Sequence, residues 1–212
     1  MVPLELPIDD PKASVRVDDY REGTLLFHIS SPISFPRFAV FYEGHLKYLT
    51  EEQVFPFTYD VLEGSNGTNA IALFSGERKQ FIVMPHGGPH GTNTTYFSRY
   101  SILYAHLGYS ILYINYRGSL GSTLEFAMPK KGRAGKEDVD DVHEFMQKCR
   151  TEYGATRVGI FGYSHGGFLS AFIAGMYPDD PDFVIAGGPV TNFVSSYFTS
   201  DIPDWTLVEA GI

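Results

Sequence analysis

The most reactive arrangement in the sequence is Gly162-Tyr163-Ser164-His165-Gly166-Gly167, reached through the apolar run Val158-Gly159-Ile160-Phe161. A buried strand that turns through Gly-x-Ser-x-Gly into a helix exposes a serine hydroxyl for nucleophilic attack, which makes Ser164 the expected catalytic residue. Glycine suits positions 162 and 166 because a Cβ in so tight a turn would meet neighbouring backbone, while the serine between them accepts a strained conformation. With 22 glycines in the chain the bare pattern could arise by chance. The strand before it and the helix after it favour chemistry.

A second apolar run, Phe81-Ile82-Val83-Met84, ends in Pro85-His86-Gly87-Gly88-Pro89-His90-Gly91, a loop able to bare backbone N–H groups. An oxyanion formed by attack of Ser164 needs two such donors, the N–H of the residue after the nucleophile and one from an earlier glycine-rich loop. The expected pair is the His165 N–H and the Gly88 N–H. His86 and His90 could also be read as a metal pair, but the glycines and proline between them exclude the helix that would place both on one face. Neither a metal nor an organic cofactor is expected.

At these residues the chain resembles the prolyl oligopeptidase family of serine peptidases, and within it the acylaminoacyl peptidase branch. The resemblance rests on His86-Gly87-Gly88-Pro89-His90, Asn115-Tyr116-Arg117-Gly118-Ser119 with Gly121, Ser164-His165-Gly166-Gly167-Phe168, and Asp201-Ile202-Pro203-Asp204-Trp205 with Val208-Glu209-Ala210-Gly211. These motifs run in the family's order over about residues 75–212. Gly162-Tyr163 departs from the two glycines that acylaminoacyl peptidases more often carry before the serine, which blurs the branch and not the family. The resemblance implies an α/β-hydrolase fold, a β-propeller over the active site, and hydrolysis of short peptides through an acyl-enzyme on Ser164. It also implies a catalytic Asp and His after the serine, in that order. No histidine follows His165, and Asp201 and Asp204 belong to a motif distinct from the triad acid. The chain therefore reads as a fragment of a longer coding sequence that stops before both residues, nearly inactive alone. A carboxylesterase or lipase on the same scaffold is one rival; a short product acting as a non-catalytic binding subunit is another.

Alternating strand and helix patterns must position these groups. Strands are expected at 70–74, 81–84, 109–115, 158–161 and 183–186, and helices at 97–107, 135–149 and 167–176. Short apolar runs of this kind mark a mostly parallel sheet under helices, an α/β class. Residues 1–55 read differently, as β segments at 24–29, 38–42 and 46–49 that resemble the closing part of a propeller, followed by a partial hydrolase domain over 56–212. In the helix before the nucleophile strand, Val139, Val142, Phe145, Met146 and Cys149 form an apolar stripe. Glu137, Asp138, Asp140 and Asp141 crowd its first turns, and the helix dipole and solvation explain them better than a carboxylate pair for metal or acid–base work.

Arg117 closes a buried strand where α/β sheets place ligands, so it is a candidate substrate-binding residue, although bracing of the loops around the nucleophile explains it at least as well. Tyr163, beside the nucleophile, is a second candidate for the pocket wall. A net charge of −9 argues against nucleic acid, with Lys130-Lys131-Gly132-Arg133 read as a solvated loop. No apolar run is long enough for a membrane helix, Met1-Val2-Pro3-Leu4-Glu5-Leu6-Pro7 lacks the pattern of a signal peptide, and one cysteine excludes an internal disulfide. The expectations are a cytoplasmic location, a short peptide as partner, no nucleic acid and no membrane. Association of the full-length protein into a homo-oligomer is left open.

Overall fold

The computed structural model describes residues 6–128 and 133–210. Two sheets organise the chain. The first is an antiparallel meander of β1 (Ser14–Arg21), β2 (Thr24–Ser31), β3 (Ser34–Tyr42) and β4 (His45–Tyr48). Two of its hairpins close on two-residue turns, Glu22-Gly23 and Glu43-Gly44, with positive φ at both positions of each. That is the turn whose twist matches the strands it joins. β1 escapes a reading of the sequence because nearly all of its residues are exposed, so Val15 and Val17 mark no buried face.

The second sheet holds β5 (Thr58–Glu63), β6 (Asn69–Phe74), β7 (Gln80–Pro85), β8 (Tyr109–Asn115), β9 (Arg157–Tyr163) and β10 (Phe183–Gly187), in the order β10-β9-β7-β8-β6-β5. Pairing is parallel from β10 to β8 and antiparallel at β6 and β5. The helices are α1 (Arg99–His106), α2 (Leu124–Ala127), α3 (Glu137–Thr151), α4 (His165–Met176), α5 (Phe193–Thr199) and α6 (Pro203–Ala210). The expected strands and helices all occur, with ends shifted by a few residues. α1 starts at Arg99 because the Ser98 side chain accepts the Ser101 N–H and caps it. α4 starts at His165, directly after Ser164.

Both faces of this sheet are covered, which is why its central strands are apolar without alternation. On one face Val142, Phe145 and Met146 of α3 and Leu169 and Ile173 of α4 pack on Val83, Leu112, Ile114 and Ile160. Cys149 lies in this core, and burial pushes its thiol up to about 12, so it packs as an inert apolar group. On the other face Ile102 and Ala105 of α1 pack on Leu73, Ile82 and Ile111, with Phe55, Phe57 and Phe97 at the margin. The meander is tied to the same margin: Ser30 Oγ accepts the Phe97 N–H at 2.9 Å, and Tyr96 Oη lies 3.2 Å from His28 Nε2.

β7 and β9 are neighbours, yet the chain leaves β7 towards β8 and leaves β9 towards β10, on the opposite side. At such a switch point the two loops diverge and leave a crevice at the carboxyl ends of the strands. The Ser164 turn and the His86–Gly91 loop are those two loops. Among the described residues no helix is long and apolar enough to cross a membrane.

Candidate active site

Ser164 has φ 57 and ψ −121, left-handed backbone that few non-glycine residues adopt. The turn is fixed from both sides, by the Ser164 N–H donating to Gly187 O at 2.9 Å and the Phe168 N–H donating to Ser164 O at 3.0 Å. The flanking glycines are obligatory on contact distances. A Cβ at 162 would stand 2.0 Å from Gly166 O, and one at 166 would stand 2.3 Å from Pro85 O. Gly166→Ala is therefore expected to destabilise the full-length protein by about 2–3 kcal/mol, since backbone and not a flexible side chain must move. The melting temperature of the full-length protein should fall by about 1–3 °C, since the shift per kcal/mol shrinks as the unfolding unit grows. An unchanged melting temperature would show that the β7 end does not approach the turn so closely.

The loop after β7 lies against this turn. A Cβ on Gly87 would stand 3.4 Å from Ser164 Cβ and 3.9 Å from Ser164 Oγ, so glycine leaves space beside the Ser164 hydroxyl. Gly88 follows in the same turn with φ 132, where a side chain would be strained and would collide with His90 N at 2.4 Å. His165 opens α4, so its N–H is among the helix-start donors without an intrahelical acceptor, next to Ser164. Pro85, His86, Gly87, Asn93 and Tyr163 help to line a cavity of about 170 Å³ next to these groups.

His86 and His90 have separate partners. His90 Nδ1 is 2.9 Å from Gly118 O, whereas His86 Nε2 is 2.6 Å from Ser119 Oγ and its ring stacks on Tyr116 at 4.4 Å. Tyr116, fully buried, donates its hydroxyl to His86 O at 2.9 Å and so anchors the base of the Gly87-Gly88 turn. Burial pushes the His86 pKa down to about 4. In the unfolded chain the same imidazole titrates near 6.5, so between these values the unfolded state binds more protons. The stability that neutral His86 contributes is complete above pH 6.5 and is lost as pH falls towards 4. A slope of up to about 1.4 kcal/mol per pH unit is expected in that window, absent in His86→Gln. Urea melts of both proteins at pH 4.5 and 7 check it.

The acidic start of α3 corrects the sequence-based expectation of solvated carboxylates. Asp138 is 4 % exposed and Asp141 1 % exposed. Asp138 Oδ2 accepts from His165 Nε2 at 2.8 Å, and Asp141 takes the Arg117 guanidinium through both oxygens, with Nε at 2.9 Å and Nη2 at 2.7 Å. Arg117 also gives its backbone N–H to Asp141 Oδ2 and Nη2 to Glu137 O. Asp141 beside it raises the guanidinium's pKa. Their spacing turns both carboxylates inward, a placement decided by partners 27 and 24 residues away in sequence.

Arg117 and Glu137 also reach the wall of a second cavity, of about 510 Å³, shared with Asn66, Thr123, Phe126 and Met128. Tyr163 is 70 % exposed and lies over Gly187 and Gly188, where a Cβ on Gly187 would meet its ring at 2.6 Å. Phe168 is core, against Gly135 and the His165 ring. Asp201 and Asp204 are exposed at the start of α6. Lys130, Lys131, Gly132 and Gly211 lie outside the described residues; Arg133 is exposed and lies 3.5 Å from Glu137. Among the described residues no imidazole nitrogen is hydrogen-bonded to Ser164 Oγ; His165, the nearest in sequence, is turned into the interior towards Asp138.

A model described as the prolyl oligopeptidase family matches residues 95–210. The acylamino-acid-releasing enzyme of Mus musculus is 42% identical over 132 residues, 61% of this chain and 18% of that protein. Its counterpart in Arabidopsis thaliana is 36% identical over 165 residues, 71% of this chain and 22% of that protein. The chain thus spans about a fifth of the length of these relatives. Among solved structures, the acylaminoacyl peptidase of Pyrococcus horikoshii superposes with a TM-score of 0.80 at 25% identity, covering 96% of this chain and 35% of that one.

Proposed function

Because the chain belongs to the prolyl oligopeptidase family, we propose that Ser164 is the nucleophile of a serine-type peptidase that hydrolyses short peptides through an acyl-enzyme. The observation that carries this reading is the left-handed Ser164 between β9 and α4, with the Gly87-Gly88 turn against its side chain. Attack by Ser164 Oγ on a carbonyl forms a tetrahedral oxyanion, which accepts hydrogen bonds from the N–H groups of His165 and Gly88. Collapse expels the amine, and water then releases the acyl group. The names of the relatives favour removal of an N-acylated residue from a peptide.

The imidazole that takes the Ser164 proton, and the acid behind it, come in this reading from a part of the full-length protein that the chain does not include. Residues 1–55 are read as the closing part of a propeller and 56–212 as the first portion of the peptidase domain. The single, buried Cys149 suits a cytoplasmic setting. A fluorophosphonate probe tests the proposal on the full-length protein, since it reacts with activated serines. Label on the Ser164 peptide is the expected result. A folded full-length protein that takes no label there would end the enzymatic reading.

A further inference from the structure

His165 is held through its side chain as well as its backbone, at the position that supplies an oxyanion donor. Its Nε2 donates to Asp138 Oδ2 at 2.8 Å, with both side chains withdrawn from solvent. A carboxylate oxygen only accepts, so the proton sits on Nε2. Asp138 is itself fixed, because its Oδ1 accepts the Gly135 N–H at 2.7 Å and the Val139 N–H at 3.0 Å. The contact therefore joins the residue after the nucleophile to the backbone at the start of α3.

The direction of the His165 N–H depends on the peptide plane between Ser164 and His165. On one side that plane is set by the strained φ and ψ of Ser164. On the other side the Phe168 N–H holds the Ser164 carbonyl of that plane, and the anchored imidazole holds the His165 end. Without the anchor, one backbone hydrogen bond is left to oppose the turning of this plane by which the left-handed serine relaxes. Two apolar side chains would fill the same space without desolvating a carboxylate, so packing alone does not call for the pair. The Tyr116 ring, 5.9 Å from the His165 ring and 4.4 Å from that of His86, links this anchor to the base of the loop that carries the second donor.

We propose that Asp138 and the His165 imidazole are positioning residues that aim the His165 N–H at the developing oxyanion, an inference that rests on Ser164 being the nucleophile. The test uses the full-length protein, with Asp138→Ala and His165→Ala compared with wild type on an N-acylated aminoacyl anilide. Inhibition by a peptide aldehyde, whose serine adduct places an oxygen in the same hole, is measured alongside. Loss of an oxyanion donor costs on the order of 10²- to 10³-fold, and a donor misdirected but still present should cost about 10- to 100-fold. That loss is expected in kcat and in aldehyde affinity alike, with KM within about twofold, since substrate binds before the oxyanion exists. The double variant should be no slower than the worse single one, because each breaks the same contact.

If Asp138→Ala does not fold, Asp138→Asn and His165→Ala carry the measurement. Variants with lowered melting temperatures but unchanged kcat and aldehyde affinity would overturn the inference and leave a purely structural pair. Fluorophosphonate labelling of wild-type Ser164 separates the two levels. Label in wild type together with unimpaired variants overturns this inference alone, whereas no label in wild type overturns the nucleophile with it.

Discussion

Ser164→Ala in the full-length protein is expected to lower kcat on an N-acylated aminoacyl anilide by about 10⁴- to 10⁶-fold, with little change in KM or melting temperature. The size follows from what the hydroxyl does. In the proposed mechanism it forms the acyl bond, and neither Cys149, buried in the core, nor Ser170, which donates to Gly166 O inside α4, is placed to replace it. Structural consequences should be small because alanine keeps the Cβ, and the backbone bonds to Gly187 and Phe168 do not involve the hydroxyl. What remains would come from donors that still bind the oxyanion. Retention of more than about one part in a hundred of wild-type kcat would contradict the proposed nucleophile, because losses of this class are far larger.

Arg117→Ala is expected to cost about 3–5 kcal/mol, as it leaves the Asp141 carboxylate buried with most of its donors gone. Asp141 keeps only the backbone N–H of residue 117 among the contacts it now makes with that residue. Arg117→Lys should recover part of the loss and not all, because an ammonium cannot reproduce the two-pronged contact with both carboxylate oxygens. Pairing Arg117→Met with Asp141→Leu should restore most of the stability by removing the stranded charge together with its partner. Chemical denaturation of the four proteins measures this directly. The series also weighs the two roles considered for Arg117. Near wild-type stability with a raised KM in Arg117→Ala would favour substrate binding, whereas a large loss of stability favours bracing.

What could be read before the structure follows the range of the interactions involved. Tyr109–Asn115 is legible as a strand from its apolar run, and the elbow from glycine spacing, because each is decided within a few residues. β5 escapes, since Thr58–Glu63 mixes polar and apolar residues, half-buried with exposed ends, on a short antiparallel strand at the sheet margin. Asp138 and Asp141 mislead for a different reason. Acids at a helix start are normally satisfied by the dipole and water, and nothing nearby in the chain shows that His165 and Arg117 face them. Tyr116 is similar: its motif is visible, but its stacking on His86 and its bond to His86 O exist only once β7 and β8 lie side by side. Sequence marks the Gly87-Gly88 pair without telling that Gly87 is the member against the serine side chain.

For the proposed nucleophile, the left-handed backbone of Ser164 sets stability and reactivity in opposition at a single position. Glycine would adopt φ 57 with more ease, so a lineage selected only for resistance to unfolding would tend to lose the serine there. The neighbouring glycines face the reverse constraint: any larger residue is excluded by backbone contact, whatever it might add to catalysis. Adaptation of this centre is left to the walls around the elbow, where the side chains of Asn93, Tyr113 and Tyr163 can vary without entering the glycine contacts of the turn.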